Sequence, residues 1–262
     1  MHCVRVDYPS DWLLANVYII ADTHIGDPQA DTCLIARRVE QVARDPHGLC
    51  ILDGDLMNTA LRNGVSDVYG EVASPMQQID EACALLEPIK HKIIGATTGN
   101  HESRTYKSDG IDMTRLVCRQ LGIEGKYAPE GVLIFLRFGT RNGNSRHRDQ
   151  NNAQWYSIYA THGSGGGRKE GAKAIRLADM AAIVDADVYI HSHTHLPMIF
   201  REAFFRVNVP TGSAALVDKL FVNTGAALGY GGYGQQQEYK PSSTSTPIIT
   251  LDARNKRATA TL

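Results

Sequence analysis

Residues 48–58 read GLCILDGDLMN. The run is short and apolar, with glycine at either end of its hydrophobic stretch, and it predicts a buried strand over 48–55. The polar residues that follow, Asp55 and Asn58, fall where such a strand must end. The same ending recurs along the chain. NVYIIAD (16–22) predicts a strand that runs into Asp22 and His24, and KIIGATTGN (92–100) one that runs into Asn100 and His101. QWYSIYATHG (154–163) ends at His162, and ADVYIHSHTH (186–195) at His193 and His195.

Helical patterns alternate with these strands. PQADTCLIARRVEQVARD (28–45) carries helical spacing in Leu34, Ile35, Val39 and Val42. In 74–90, Ser74, Pro75 and Gln77 form a capping sequence, and Ile79, Cys83 and Leu86 line one face. Residues 110–122 and 169–184 predict two more helices. The second half is richer in strands: GVLIFLRFG (131–139) pairs with 154–163, and FFRVNVP, KLFVNTG and PIITLDARNKRATATL are strand-like. No repeat and no linker divides the chain, so one α/β domain over 1–262 is expected, with a basic hairpin loop at 140–153 and a Gly/Tyr-rich loop at 225–241.

The bulk properties exclude more than they assign. A chain of 262 residues can bury a large core, and a net charge of −1 advertises neither a nucleic acid nor a membrane. Its five cysteines are odd in number, scattered and without a CxxC pair, which suits small core residues in a reducing compartment. The N-terminal apolar run is far too short to span a bilayer, so a soluble, unexported, cytoplasmic protein is expected.

In an open α/β sheet the carboxyl ends of the strands face one crevice. Five separate segments would then bring Asp, Asn and His side chains together. Imidazole, carboxylate and amide without thiolate suit hydrolytic divalent ions such as Mn, Fe or Zn, and the donors exceed what one ion needs. Two ions are the better count. As an isolated pair, Asp22 and His24 would be no more than a turn after a strand; the ordered set gives them weight.

That set, DxH, GDxxN, GNHE, a His-Gly turn and HxH over residues 22–195, resembles the calcineurin-like metallophosphoesterases. The resemblance implies a four-layer αββα sandwich with its active site at the C-terminal ends of the strands. It implies two divalent metal ions, Mn first, with Fe or Zn as alternatives. Asp22, His24 and His195 would hold one; Asn100, His162 and His193 would hold the other; Asp55 would bridge them. Cations about 3.5–4 Å apart can share a hydroxide that attacks phosphorus, and can neutralise charge on the phosphoryl oxygens. His101 is then the general acid that protonates the leaving oxygen. Asn58 would orient that imidazole through its amide oxygen.

Two departures narrow the reading. Ser192 stands where the family usually has a glycine, and the turn is expected to survive that change. Asn58 stands where the protein-phosphatase branch has aspartate followed by arginine and glycine; here Thr59 and Ala60 follow. The missing arginine favours phosphodiester substrates, nucleotide or nucleic-acid-like. The alternative is a phosphomonoesterase, a protein or nucleotide phosphatase. A catalytically inactive binding scaffold is disfavoured because every ligand position is filled.

Other residues have a plainer reading beside the functional one. His191 reads as a satisfied core histidine or one supporting a ligand. Arg104 is the candidate substrate-binding cation, with Lys107 second to it; both could equally be solvated. Arg141, Arg146, His147 and Arg148 could meet a polyanion, but without interleaved aromatics the nucleic-acid signal is weak. GSGGG (163–167) reads as a turn allowing close approach, since no P-loop ending follows. The segment 225–239 reads as a lid or an excursion. HSHTHL departs from the metallo-β-lactamase pattern at His195 and Leu196. A phosphate-ester substrate is the expected partner, and the sequence leaves the oligomeric state open.

Overall fold

The computed structural model describes residues 1–62, 67–140, 153–165 and 167–262. Its strands are β1 (His2–Pro9), β2 (Leu14–Ile20), β3 (Gly48–Asp53), β4 (Ile93–Thr97), β5 (Val132–Thr140), β6 (Gln154–Thr161), β7 (Val188–His191), β8 (Met198–Asn208), β9 (Ser213–Asn223), β10 (Ile248–Asp252) and β11 (Arg257–Thr261). The helices are α1 (Thr32–Arg44), α2 (Pro75–Leu86), α3 (Asn100–Asp109), α4 (Met113–Gln120), α5 (Glu170–Ile183) and the short α6 (Gly232–Gln236).

The strands form two sheets, in the orders β11-β10-β2-β3-β4 and β1-β5-β6-β7-β9-β8. In the first, β2, β3 and β4 run parallel, while β10 is antiparallel to β2. Parallel strands covered on both faces need apolar residues at every position, and β3 and β4 are buried throughout. Alternation divides their side chains between two cores. Leu49 and Ile51 point into the space between the sheets, against Ile134, Ile158, Ile190 and Val222. Cys50 and Leu52 point outward, under Ile35 and Val39 of α1, Ile79 and Cys83 of α2 and Val117 of α4. Leu177 and Met180 of α5 cover Tyr189 and Phe221 on the far side of the second sheet. The resulting layers are α, β, β, α. A fully buried leucine such as Leu251 contributes about 1.5–3 kcal/mol by transfer, and truncating it costs roughly 2–5 kcal/mol.

Local chemistry sets the element ends. The Asp31 side chain accepts the Leu34 N–H, so α1 starts at Thr32, inside the stretch 28–45 that carries its apolar spacing. Ser74 and Gln77 form the expected capping box with Pro75 at the first helical position. The strands predicted to 22, 55 and 100 stop instead at Ile20, Asp53 and Thr97. Asp22 and Asp55 take left-handed φ angles of 50° and 47°, which no strand accommodates.

Three elements escape the sequence reading: β1, α3 and the short α6 within the Gly/Tyr-rich segment. β1 is half-exposed and alternates charge with apolar residues; it pairs parallel to β5 at the edge of its sheet. α3 has almost no apolar face and begins at Asn100 itself, because Glu102 reaches back to its N-terminus. The pairing of β5 with β6 is antiparallel as expected, but Arg141, Arg146, His147 and Arg148 of the connecting loop lie outside the described residues. Among the described residues no helix is long and apolar enough to cross a membrane.

Candidate metal centre

All the predicted ligands lie just beyond strand carboxyl ends at one edge of the two sheets. The loop after β2 keeps pairing with the loop after β3: Asp22 N–H donates to Gly54 O at 3.1 Å, His24 N–H to Asp55 O at 3.0 Å and Ile25 N–H to Leu56 O at 2.9 Å. This places Asp22, His24 and Asp55 side by side. Five of the seven predicted ligands have positive φ: Asp22, His24, Asp55, His193 and His195. Each such non-glycine residue costs on the order of 1 kcal/mol, so the backbone strain is concentrated where the side chains converge.

The buried Glu102 carboxylate holds two of the loops. Oε2 accepts Asp55 N–H at 3.1 Å and Gly99 N–H at 3.0 Å, and Oε1 accepts Met57 N–H at 2.9 Å. Burial, with the Asp55 charge nearby, pushes its carboxyl up to about 7. Gly99 has to be glycine: a Cβ there would lie 2.0 Å from Asp55 Oδ1.

Three groups of side chains present ligand atoms within 4.8 Å of one another: Asp22, His24 and His195; His24, Asp55 and His101; and Asp55, His162 and His193. In the first, His195 Nε2 is 3.2 Å from Asp22 Oδ1 and 3.4 Å from His24 Nε2. In the third, His162 Nε2 is 3.1 Å from Asp55 Oδ2. Seven buried side-chain polar atoms lack a hydrogen-bond partner among the described residues, and three of them are Asn100 Oδ1, His162 Nε2 and His193 Nδ1. Buried polar atoms are rarely left in this condition, and these three belong to a donor set of imidazole and amide suited to a divalent cation. The residues present therefore fit the implied ions.

Electrostatics favour the same use. Burial lowers His24 to about 3 and His193 to about 4, aided by His101 in the first case and His162 in the second, so both are neutral and carry a free lone pair. Burial raises the Asp55 carboxyl, but His162, His101 and His24 outweigh it and hold Asp55 well below the usual range. Burial likewise opposes ionisation of Asp22, and His195 outweighs it. His162 goes the other way: burial disfavours its imidazolium, yet Asp55 more than offsets this and raises its pKa well above the ordinary value.

His101 borders the group, its Nε2 3.9 Å from Asp55 Oδ2. Its Nδ1 bonds the main-chain carbonyl of Asn58 at 2.8 Å. The expected contact through the Asn58 amide oxygen is therefore made by the Asn58 backbone, and the amide Nδ2 instead donates to Glu71. The geometry decides this: the carbonyl already occupies the ring nitrogen facing residue 58. Thr59 and Ala60 are buried, with Thr59 Oγ1 donating to His101 O at 2.6 Å.

Ser192 does not need glycine's freedom, since the left-handed turn falls on His193 (φ 63°). His191 is buried and bonds Asn223 Oδ1 through Nδ1 at 2.8 Å, the satisfied core histidine of the two readings. Gly163 permits close approach, because a Cβ there would meet His191 Nε2 at 1.9 Å. Sequence reading missed Asn223, whose Nδ2 donates to Leu196 O at 2.7 Å, and Thr224, whose hydroxyl donates to Asp22 Oδ2 at 3.2 Å. It also missed Asp53 and Glu102. The only sequence signal for these four is a polar residue adjoining a buried run.

A cleft of about 710 Å³ is lined by five of the predicted ligands, His24, Asp55, Asn100, His193 and His195, and by Arg104. Arg104 is close enough to His101 to lower its pKa, though burial is the larger cause. Lys107 lies further along α3 and does not line the cleft. The Gly/Tyr-rich segment forms a wall of it through Tyr230, Tyr239 and Lys240, and Arg168 stacks on Tyr239. Its start is anchored by Asp31 N–H to Ala227 O at 2.9 Å and Ala227 N–H to Asp22 O at 3.0 Å.

Comparison with known proteins adds the following. The sequence model of the calcineurin-like phosphoesterase family matches residues 15–197. No curated protein matches the chain. Among solved structures, a single mutant of Vps29 from Entamoeba histolytica is 14% identical, over 94% of this chain and 98% of that one, with a TM-score of 0.42. A metallophosphoesterase from Sphaerobacter thermophilus is 14% identical over 94% and 87%, with a TM-score of 0.41. A predicted phosphoesterase from Streptococcus pneumoniae is 14% identical over 91% and 84%, with a TM-score of 0.35.

Proposed function

The chain belongs to the calcineurin-like phosphoesterase family, and from that premise we propose that it is a phosphoesterase dependent on two divalent metal ions, Mn in the first place, which hydrolyses phosphodiesters. Asp22, His24 and His195 would hold one ion, Asn100, His162 and His193 the other, and Asp55 would serve both. The observation that carries this reading is the meeting of Asp22, His24, Asp55, His162, His193 and His195 in overlapping groups, with buried, unpartnered atoms on His162, His193 and the cleft-lining Asn100.

When bound, the ions supply an activated water and neutralise charge on the phosphoryl oxygens. The chain's own residues do the rest. The Asn58 carbonyl accepts the His101 Nδ1 proton and leaves Nε2 facing the cleft. As an imidazolium, His101 donates its Nε2 proton to the leaving oxygen; burial lowers its pKa and makes it a ready donor, while the Asp55 charge opposes part of that fall. Arg104 supplies positive charge to the substrate phosphate from the same side of the cleft. No cation occupies positions 59 and 60, where a phosphate-gripping arginine would favour monoesters.

The same reading takes residues 1–262 as one domain, supported by an inter-sheet core that draws on residues from Val4 to Ala258. It places the protein in the cytoplasm, where its five cysteines are free thiols. Turnover of bis-p-nitrophenyl phosphate and p-nitrophenyl phosphate by manganese-loaded protein tests it. The diester is expected to be the better substrate. Preference for the monoester would remove the diesterase assignment, and no turnover of either would favour a binding scaffold.

A further inference from the structure

Asp53, the last residue of β3, is completely buried. Its carboxylate has two hydroxyl donors: Thr97 Oγ1 reaches Oδ1 at 2.8 Å, and Ser192 Oγ reaches Oδ2 at 2.6 Å. Its main-chain carbonyl accepts from His162 Nδ1 at 2.7 Å. Ser192 N–H in turn donates to His162 O at 3.3 Å. One residue thus joins the ends of β3 and β4 in one sheet to those of β6 and β7 in the other.

A buried carboxylate satisfied only by hydroxyls is an expensive way to hold a core together, because desolvation of the charge offsets what the two short bonds return. An apolar residue would serve the fold equally well. What an apolar residue cannot do is set the spacing of the polar strand ends. Thr97 lies three residues before Asn100, Ser192 directly precedes His193, and the Asp53 carbonyl holds the His162 ring through Nδ1, with Nε2 3.1 Å from Asp55 Oδ2. Of the seven side chains with an unpartnered buried atom among the described residues, Asn100, His162 and His193 are the three that follow strands fastened by Asp53.

We propose that Asp53, clamped by Thr97 and Ser192, is the positioning residue for the cation site formed by Asn100, His162 and His193. The proposal rests on reading those three as ligands. It also accounts for a serine before His193: its hydroxyl is one jaw of the clamp. The main-chain carbonyl of Asp53 makes the bond to the second nitrogen of His162, a kind of support whose loss costs about 10–100-fold in metal affinity, and the side-chain clamp is what holds that carbonyl in place.

The test is manganese binding by wild type and by Asp53→Leu, Asp53→Asn, Ser192→Ala and Thr97→Val, followed through the paramagnetic resonance signal of free Mn2+. Melting temperatures of the metal-free proteins are measured in parallel, with Leu251→Ala in the inter-sheet core as a control for stability alone. Wild type is expected to bind two ions. Asp53→Leu should keep one at near-normal affinity and bind the other about tenfold more weakly or worse. Asp53→Asn, which keeps an acceptor, should recover part of that loss. Ser192→Ala and Thr97→Val should weaken the same ion, and Leu251→Ala should lower the melting temperature without changing either affinity. Wild-type affinities in Asp53→Leu, or an equal loss in Leu251→Ala, would overturn the proposal. Should Asp53→Leu not fold, unchanged binding in Ser192→Ala would overturn it alone. A wild type that binds no manganese would sink the phosphoesterase reading with it, an outcome distinct from two ions bound alike in every variant.

Discussion

The Nε2 atom of His162 lies 3.1 Å from Oδ2 of Asp55, yet it makes no aligned hydrogen bond. Both residues form one group with His193, their ligand atoms within 4.8 Å of one another. An imidazole and a carboxylate that share a third partner have this relation. Replacing Asp55 with asparagine should therefore do more than remove one ligand, since the charge that balances two cations goes with it. Asp55→Asn is expected to bind manganese at least about a hundredfold more weakly at one or both positions, beyond the usual cost of a supporting residue. Metal analysis after dialysis checks it; two equivalents retained would contradict the shared role.

The same pair predicts how binding depends on pH. In the metal-free protein Asp55 raises the pKa of His162 well above its ordinary value, so near neutrality that imidazole carries a proton which a cation must displace. His24 and His193, held at about 3 and about 4, have none to lose. Apparent manganese affinity should then rise about tenfold per pH unit from 6 to 7, with about one proton released per ion bound at the His162 position. Calorimetry in buffers of different ionisation enthalpy measures this directly. A pH-independent affinity would mean that His162 is neutral before the metal arrives.

The His101 ring is aimed by a backbone carbonyl. It packs on His24 with centroids 4.5 Å apart, but its Nε2 stays 3.9 Å from Asp55 Oδ2, and the contact to the Asp55 carboxylate at 2.9 Å is made by the main-chain N–H, which an alanine keeps. His101→Ala should keep both ions and lose about 10²–10⁴ in kcat. The loss should be steepest for poor leaving groups, which depend most on protonation. Equal losses across leaving groups of differing pKa would remove the acid role.

Because the backbone of residue 58 makes that contact, Asn58→Ala should change kcat far less than His101→Ala does, within about tenfold where an essential acid is worth 10²–10⁴. The Asn58 amide serves Glu71 instead. A loss matching that of His101→Ala would show that the side chain matters in a way the backbone bond does not explain.

Glu102→Gln tests the frame rather than the chemistry. The carboxylate accepts three main-chain N–H groups, and an amide leaves at least one of them facing an N–H. The variant should be less stable by about 1–3 kcal/mol in denaturant unfolding. Unchanged stability would mean the loops are held elsewhere.

Much of this site was legible in the sequence because strand ends in an α/β fold collect at one edge. Asp22, Asp55, Asn100, His162 and His193 each follow a short apolar run, and topology alone brings them together. Residues that act across long separations left no such trace. Ser192 lies 139 positions from the Asp53 carboxylate it bonds, and Thr224 lies 202 from Asp22. α3 was hidden because its ten residues lack apolar periodicity, and its start depends on one buried glutamate. Asn58 shows a different limit: a residue type predicts side-chain chemistry, whereas here the main chain makes the contact.

Anomalous diffraction from crystals soaked in manganese tests the central claim most directly. Two peaks are predicted, one bounded by Asp22, His24 and His195 and one by Asn100, His162 and His193, with Asp55 reaching both. A cleft without peaks at saturating manganese, or peaks bound to other residues, would contradict the account.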